Sequence, residues 1–128
     1  MNRSQIIRRI AQGWLLLLIL GSLQPVRPAP FVGQHRGIHI LAFAGAAFLL
    51  LLISRTRRQQ IRGVIAMCLL GLFLETAQHL VYLHPMEWRD VRDDTLAVLV
   101  AFALYQLAGI CRAVLAAKRC AAGTGRSS

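Results

Sequence analysis

Four polar side chains lie at helical spacing within a long apolar stretch, and their types are suited to chemistry. Gln78, His79 and Tyr82 follow Glu75 at three, four and seven residues, so a helix would place all four on one face. A carboxylate and an imidazole can act together as acid and base, and the amide and hydroxyl can hydrogen-bond a polar ligand. The alternative is structural, with these groups forming hydrogen bonds that hold helices together.

Further ionisable residues flank the neighbouring apolar stretches. His39 lies at the start of one stretch, and three aspartates lie where the last one begins, at Asp90, Asp93 and Asp94. Acidic side chains also cap helix N-termini and complement the helix dipole, which gives the aspartates a structural explanation. Asp90 and Asp94 share a predicted helix face with Ala97 and Ala101. Because small residues permit close helix packing, we expect this face to point inward.

The sequence contains no set of three ligands that is typical of a metal or cofactor site. A catalytic zinc ion needs three protein ligands, and the histidines that stand four apart, His35 and His39, are only two. The three cysteines, Cys68, Cys111 and Cys120, form no Cys-x-x-Cys pair and are interpreted as inert thiols. We therefore predict neither a metal nor a cofactor.

The distribution of apolar residues predicts an integral membrane protein. Apolar residues make up 56% of the chain, and the mean hydropathy is +0.54. They are gathered into blocks separated by short charged stretches, as a bilayer requires. A soluble helix bundle would place a polar residue at every third or fourth position, but 15–20 and 42–53 contain none.

The blocks predict an all-α bundle of four transmembrane helices. The expected spans are about 6–23, 37–53, 63–83 and 94–112, within a single domain at 1–120 that is followed by a disordered tail at 121–128. The first block is short, so a cleaved signal peptide is the alternative. No small-x-small cleavage site follows promptly, and prolines at 25, 28 and 30 predict an extended loop there.

The charged residues predict that the protein lies in a bacterial inner membrane with both termini on the cytoplasmic side. In that orientation the cytoplasmic side holds eleven basic residues, Arg3, Arg8, Arg9, Arg55, Arg57, Arg58, Arg62, Arg112, Lys118, Arg119 and Arg126. The outer side holds four, Arg27, Arg36, Arg89 and Arg92. The net charge of +10 is then explained, because basic residues at the edges of the apolar blocks set the orientation and contact anionic lipid headgroups. Nucleic-acid binding is not expected, because no basic stripe contains interleaved aromatic residues.

The order of these polar residues resembles the VanZ-like family of small membrane proteins. The motifs are His39-x-x-x-Phe43, Glu75-x-x-Gln78, Glu87-Trp88-Arg89-Asp90 and Asp94-Thr95-Leu96-Ala97, over roughly residues 36–104. Arg36 matches the basic residue that precedes the histidine in the family, and Asp90 matches the motif aspartate. The chain departs at three positions, where His84, Asp94 and Ala97 replace the family's arginine, asparagine and glycine.

The resemblance implies an envelope protein related to one associated with teicoplanin resistance. We expect a polar headgroup, on a lipid-linked cell-wall intermediate or a glycopeptide, to be bound near the outer leaflet. The candidate binding residues are Arg36, His39, Glu75, Gln78, His79, His84, Arg89, Asp90 and Asp94, with Arg92 as a further phosphate contact. Two alternatives remain: an intramembrane acid–base enzyme using Glu75, His39 or Asp90, and a purely structural helper. Four helices without an inverted repeat do not suggest a transporter, and the oligomeric state stays open.

Overall fold

All regular secondary structure in the part of the chain that the structure describes is α-helical, as the sequence predicts. A computed structural model describes residues 2–23, 32–83 and 85–124, apart from the side chains at 3, 32–36 and 120–124. The helices are α1 (Arg3–Ser22), α2 (Val32–Ile53), α3 (Arg57–Tyr82) and α4 (Trp88–Thr124). The prolines expected to form a loop, at 25, 28 and 30, lie outside the described residues.

Each helix begins before its apolar block does. The α3 helix starts at Arg57 rather than near residue 63, because Thr56 caps it: the Thr56 hydroxyl accepts a hydrogen bond from the Gln59 amide at 3.2 Å. The α4 helix covers Trp88–Thr124 instead of about 94–112, and it includes 121–124 of the expected tail. Arginine and glutamine are good helix formers, so apolar blocks define the stretches that suit a bilayer, not the helix ends.

Small residues bring α2 and α4 together at the centre of the fold. These two helices make the most extensive contact in the protein, while α1 packs on α2 and α3 packs mainly on α4. Ala46 and Ala47 on α2 and Ala97 and Ala101 on α4 are buried, and Val98 is fully enclosed. The expectation that Ala97 and Ala101 face inward is confirmed. Close approach of two helices at alanines is the packing typical of membrane bundles.

Trp14 attaches α1 to α2. Its indole nitrogen donates a hydrogen bond to the Ala42 carbonyl oxygen at 2.9 Å. The ring lies against Gly45, where an added Cβ would come within 2.9 Å of Trp14 Cζ2. Gly45 therefore provides the space for the indole, and any larger residue there would displace the ring.

Replacing Trp14 with phenylalanine is expected to lower stability by about 1 kcal/mol, because it removes the indole hydrogen bond and keeps an aromatic ring. The measurement is the thermal unfolding midpoint of the purified chain in detergent. Trp88→Phe is the matched control, since Trp88 is 67% exposed. Equal shifts in the two variants would mean that the bond to Ala42 does not stabilise the protein.

Two of the described helices are long and apolar enough to cross a membrane. They are Arg57–Tyr82 and the Trp88–Arg119 part of α4, and Gly37–Ile53 is a shorter apolar helix. Their outward faces carry large apolar side chains, including Leu69 at 60% exposure, Phe73 at 66% and Leu104 at 61%. These faces match hydrocarbon better than water, because the apolar surface has no cover within the described residues.

Candidate functional site

A histidine and a carboxylate from different helices meet at one end of the bundle. His39 Nδ1 on α2 lies 3.8 Å from Asp94 Oδ2 on α4, and the two side chains are 19% and 8% exposed. One turn along α2, the Phe43 ring stacks on the imidazole with 6.4 Å between ring centroids. The phenyl ring restricts where the imidazole can turn, so the pair is held at ion-pair distance in a largely enclosed position.

Gly71 allows α3 to approach this pair. An added Cβ at Gly71 would lie 3.3 Å from Phe43 Cε1 and 3.6 Å from Asp94 Cβ. The backbone of α3 thus forms one wall of the site. Asp94 Oδ1 is buried there and accepts no hydrogen bond from the described residues. A buried carboxylate oxygen without a donor is costly, which makes Asp94 the most demanding polar group of the site.

Glu75 ties α3 to the start of α4. Its half-buried side chain accepts a hydrogen bond from the Glu87 amide, with 2.7 Å between Oε1 and N. The carboxylates of Asp94, Asp90 and Glu75 all lie close enough to His39 to interact electrostatically with the imidazole. We call His39, Glu75, Asp90 and Asp94 the acidic cluster. Three helices contribute to it, and its carboxylates outnumber its imidazole three to one.

Gln78 and Tyr82 bind the end of α1 instead of joining the acidic cluster. The Gln78 amide donates to the Ser22 carbonyl oxygen, and the Tyr82 hydroxyl donates to the Leu23 carbonyl oxygen at 2.6 Å. The last carbonyls of a helix have no intrahelical partner, so these two side chains cap α1. The polar residues predicted to share one face of α3 therefore contact two different neighbours. Glu75 binds the start of α4, whereas Gln78 and Tyr82 bind the end of α1.

The other candidate residues lie at the surface, in the first turn of α4 or outside the described residues. His79 and Arg89 are exposed. Arg92 is also exposed and forms an ion pair with the neighbouring Asp93, at 3.1 Å between Nη2 and Oδ1. The Arg36 side chain and all of His84 lie outside the described residues. Asp90 is in the first turn of α4, as its capping explanation expects, whereas Asp94 lies one turn further in.

Sequence reasoning missed Gly71, the Glu87 amide and the Ser22 carbonyl as parts of this arrangement. Gly71 could have been found, because a glycine inside a helical pattern costs helix stability and so often has a packing reason. The two backbone groups carry no sequence pattern. Their positions depend on how the ends of the helices meet.

The acidic cluster favours ligands that donate hydrogen bonds. No group of three or more His, Cys, Asp or Glu side chains within 2–23, 32–83 and 85–124 could hold a metal ion. Carboxylates accept hydrogen bonds from hydroxyl, amide and ammonium groups, while the exposed guanidinium groups of Arg89 and Arg92 can donate to phosphate. Together they suit a ligand that combines hydroxyls or amines with a phosphate.

Comparison with known proteins finds no match for this chain. No family model matches the chain, and neither a curated protein nor a solved structure matches it. The VanZ-like resemblance therefore stays a prediction.

Proposed function

We propose that this chain is a VanZ-like protein of the bacterial inner membrane that crosses the bilayer four times with both termini in the cytoplasm. The acidic cluster then lies toward the outer leaflet. There it binds the polar headgroup of a lipid-linked cell-wall intermediate or of a glycopeptide.

Helix lengths and surfaces support the membrane part of this proposal. At 20 and 22 residues, α1 and α2 extend for about 30 Å or slightly more, close to the hydrocarbon thickness of a bilayer. The apolar part of α2, Gly37–Ile53, is shorter, and in α1 the long side chains of Arg8 and Arg9 can reach the interface. In α1, Leu16, Leu17 and Leu20 are more than half exposed, and such side chains suit lipid. Eleven of the fifteen basic residues lie on the cytoplasmic side in this orientation, as the positive-inside rule requires.

The observation that carries the proposal is the burial of the His39–Asp94 pair beside Glu75. Ionisable groups within a membrane are expensive and are therefore usually functional. Here Asp94 is almost fully enclosed, although one of its oxygens accepts no hydrogen bond from the described residues. Helix packing alone would be served better by an apolar side chain at that position.

The ligand class follows from the two kinds of side chain at this end of the bundle. The acidic cluster accepts hydrogen bonds from sugar hydroxyls and amines, and Arg89 and Arg92 extend from the first turns of α4. Their guanidinium groups are exposed and can contact a phosphate at the membrane surface. A lipid-linked cell-wall intermediate presents both kinds of group.

Photolabelling in liposomes tests the proposal. The probe is a diazirine derivative of a polyprenyl-diphosphate disaccharide, and the readout is the amount of probe attached to the reconstituted chain. Wild type should be labelled, and Glu75→Ala should lose most of the label, because the change releases the Glu87 amide and removes one carboxylate. Glu87→Ala is the matched control, since it keeps that amide and removes only an exposed carboxylate. Equal labelling of wild type and Glu75→Ala would refute the proposal.

The His39–Asp94 geometry favours an enzyme as the second candidate function. A carboxylate near one ring nitrogen orients an imidazole for acid–base work, and Glu75 and Asp90 supply further candidate groups. In this case His39 would take a proton from a water that attacks the diphosphate of the lipid-linked substrate. The P–O–P bridge would break, leaving the lipid phosphate in the membrane and a soluble sugar phosphate. Wild type would then release a soluble product from the same probe and His39→Gln would not, whereas binding alone releases none from either.

A further inference from the structure

The end of the bundle opposite the acidic cluster carries only positive charge among the described residues. Every acidic residue lies between 75 and 94, far along α3 and α4 from this end. We define the basic end as five exposed arginines at the α2–α3 junction and on α4: Arg55, Arg57, Arg58, Arg62 and Arg112. With no carboxylate nearby within the described ranges, no acidic side chain offsets their charge, and the resulting positive potential attracts anions.

Contacts between α3 and α4 hold part of the basic end in place. The Arg57 guanidinium lies over the Phe102 ring, 5.0 Å from its centroid. Next to it, the Gln106 amide donates to the Gln60 side-chain oxygen at 3.0 Å. A guanidinium stacked on a ring keeps its N–H groups at the edge available for a bidentate contact with phosphate. Arg57 is therefore positioned to bind an oxyanion at the seam between the two helices.

Apolar side chains border these arginines on the side toward the middle of the bundle. Ile61 and Ile65 on α3 are 44% and 52% exposed, and Val100 and Leu104 on α4 are 56% and 61% exposed. A charged band directly beside an apolar band matches a molecule with an anionic head and hydrocarbon chains. A nucleic acid would leave the apolar band uncovered.

We propose that the basic end binds the phosphate of an anionic phospholipid, with Arg57 and Arg58 as its main contacts. The acyl chains of this lipid lie along Ile61, Ile65, Val100 and Leu104. The inference rests on the membrane-spanning part of the proposed function, but it concerns the opposite leaflet and is independent of the acidic cluster.

Native mass spectrometry of the full chain, reconstituted and then extracted in mild detergent, tests this site. The probes are phosphatidylglycerol and phosphatidylcholine with the same acyl chains, supplied at equal concentration. Both headgroups carry a phosphate that arginine can bind, but choline adds a positive charge that the arginines repel. Wild type should therefore retain phosphatidylglycerol about tenfold better. Arg57→Gln/Arg58→Gln should reduce that preference several-fold, and Arg57→Lys/Arg58→Lys should keep part of it because the charge remains.

Arg8→Gln/Arg9→Gln is the matched control, since it removes two exposed charges from α1 and leaves the α3–α4 seam intact. Its preference for phosphatidylglycerol should stay close to that of wild type. Equal retention of both lipids by wild type would overturn the inference. An equal loss of the phosphatidylglycerol preference in Arg57→Gln/Arg58→Gln and in Arg8→Gln/Arg9→Gln would overturn it too. If equimolar inorganic phosphate displaced phosphatidylglycerol, the site would bind free phosphate and not the phosphate of a lipid. A chain that enters no bilayer would instead refute the proposed function.

Discussion

Replacing Gly71 with leucine is expected to cost about 1–3 kcal/mol of stability, the range typical of overpacking in a close-packed core. Already the first carbon of a new side chain would lie 3.3 Å from the Phe43 ring and 3.6 Å from Asp94 Cβ. The rest of the leucine would then have to displace Phe43, which is 1% exposed, or separate α3 from α2 and α4. Because Phe43 also stacks on His39, the change should disturb the acidic cluster as well.

The thermal unfolding midpoint of the purified chain in detergent measures this effect. Gly109→Leu is the matched control, because an added Cβ there meets nothing within 4 Å among the described residues. A leucine should even favour the helix at that position, so the two substitutions should shift the midpoint in opposite directions. If Gly71→Leu melted as high as Gly109→Leu, the close approach of α3 to the His39–Asp94 pair would be wrong.

Asp94→Asn is expected to abolish the proposed effect on teicoplanin susceptibility while preserving the fold. The test host is a Gram-positive bacterium expressing the chain, and the readout is teicoplanin susceptibility at matched membrane levels of each variant. Wild type should lower susceptibility relative to an empty vector, as the VanZ-like resemblance implies. Asparagine has nearly the same shape but removes the negative charge beside His39, and losing a charged hydrogen-bond partner of a ligand weakens binding by about tenfold or more.

Asp93→Asn is the control for this experiment. Asp93 is the adjacent residue and is equally buried, but it is paired with Arg92 on the same helix. Asp93→Asn should therefore act like wild type. If both variants kept the effect, Asp94 would have no part in it. If wild type itself had no effect, the teicoplanin function would fail in that host.

Periodicity was sufficient to predict the inward face of α4. Ala97 and Ala101 fall at helical spacing from Asp94, and all three are buried. This prediction succeeded because the side-chain direction in a helix depends only on residue spacing.

Helix ends were predicted less well. The apolar blocks indicate what can be buried in lipid, whereas capping by Thr56 and Gln59 and the helix propensity of the flanking residues decide where α3 begins.

The partners of the polar residues could not be predicted in the same way. Spacing put Glu75, Gln78 and Tyr82 on one helix face, and they do share a helix. A face several residues wide still reaches two different neighbours, so Glu75 binds the Glu87 amide while Gln78 and Tyr82 bind carbonyl groups at the end of α1. Those partners are backbone atoms, which carry no residue-specific signature.

By itself, then, the sequence determined the all-helical class, the presence of helices apolar enough for a membrane, and the inward face of α4. Local spacing and composition govern these properties. Only the tertiary structure decided that His39 meets Asp94, that Gly71 lets α3 approach Phe43 and Asp94, and that Arg57 stacks on Phe102. Each of these contacts joins residues distant in the chain, and their geometry depends on the helix crossings that small residues at the α2–α4 interface allow.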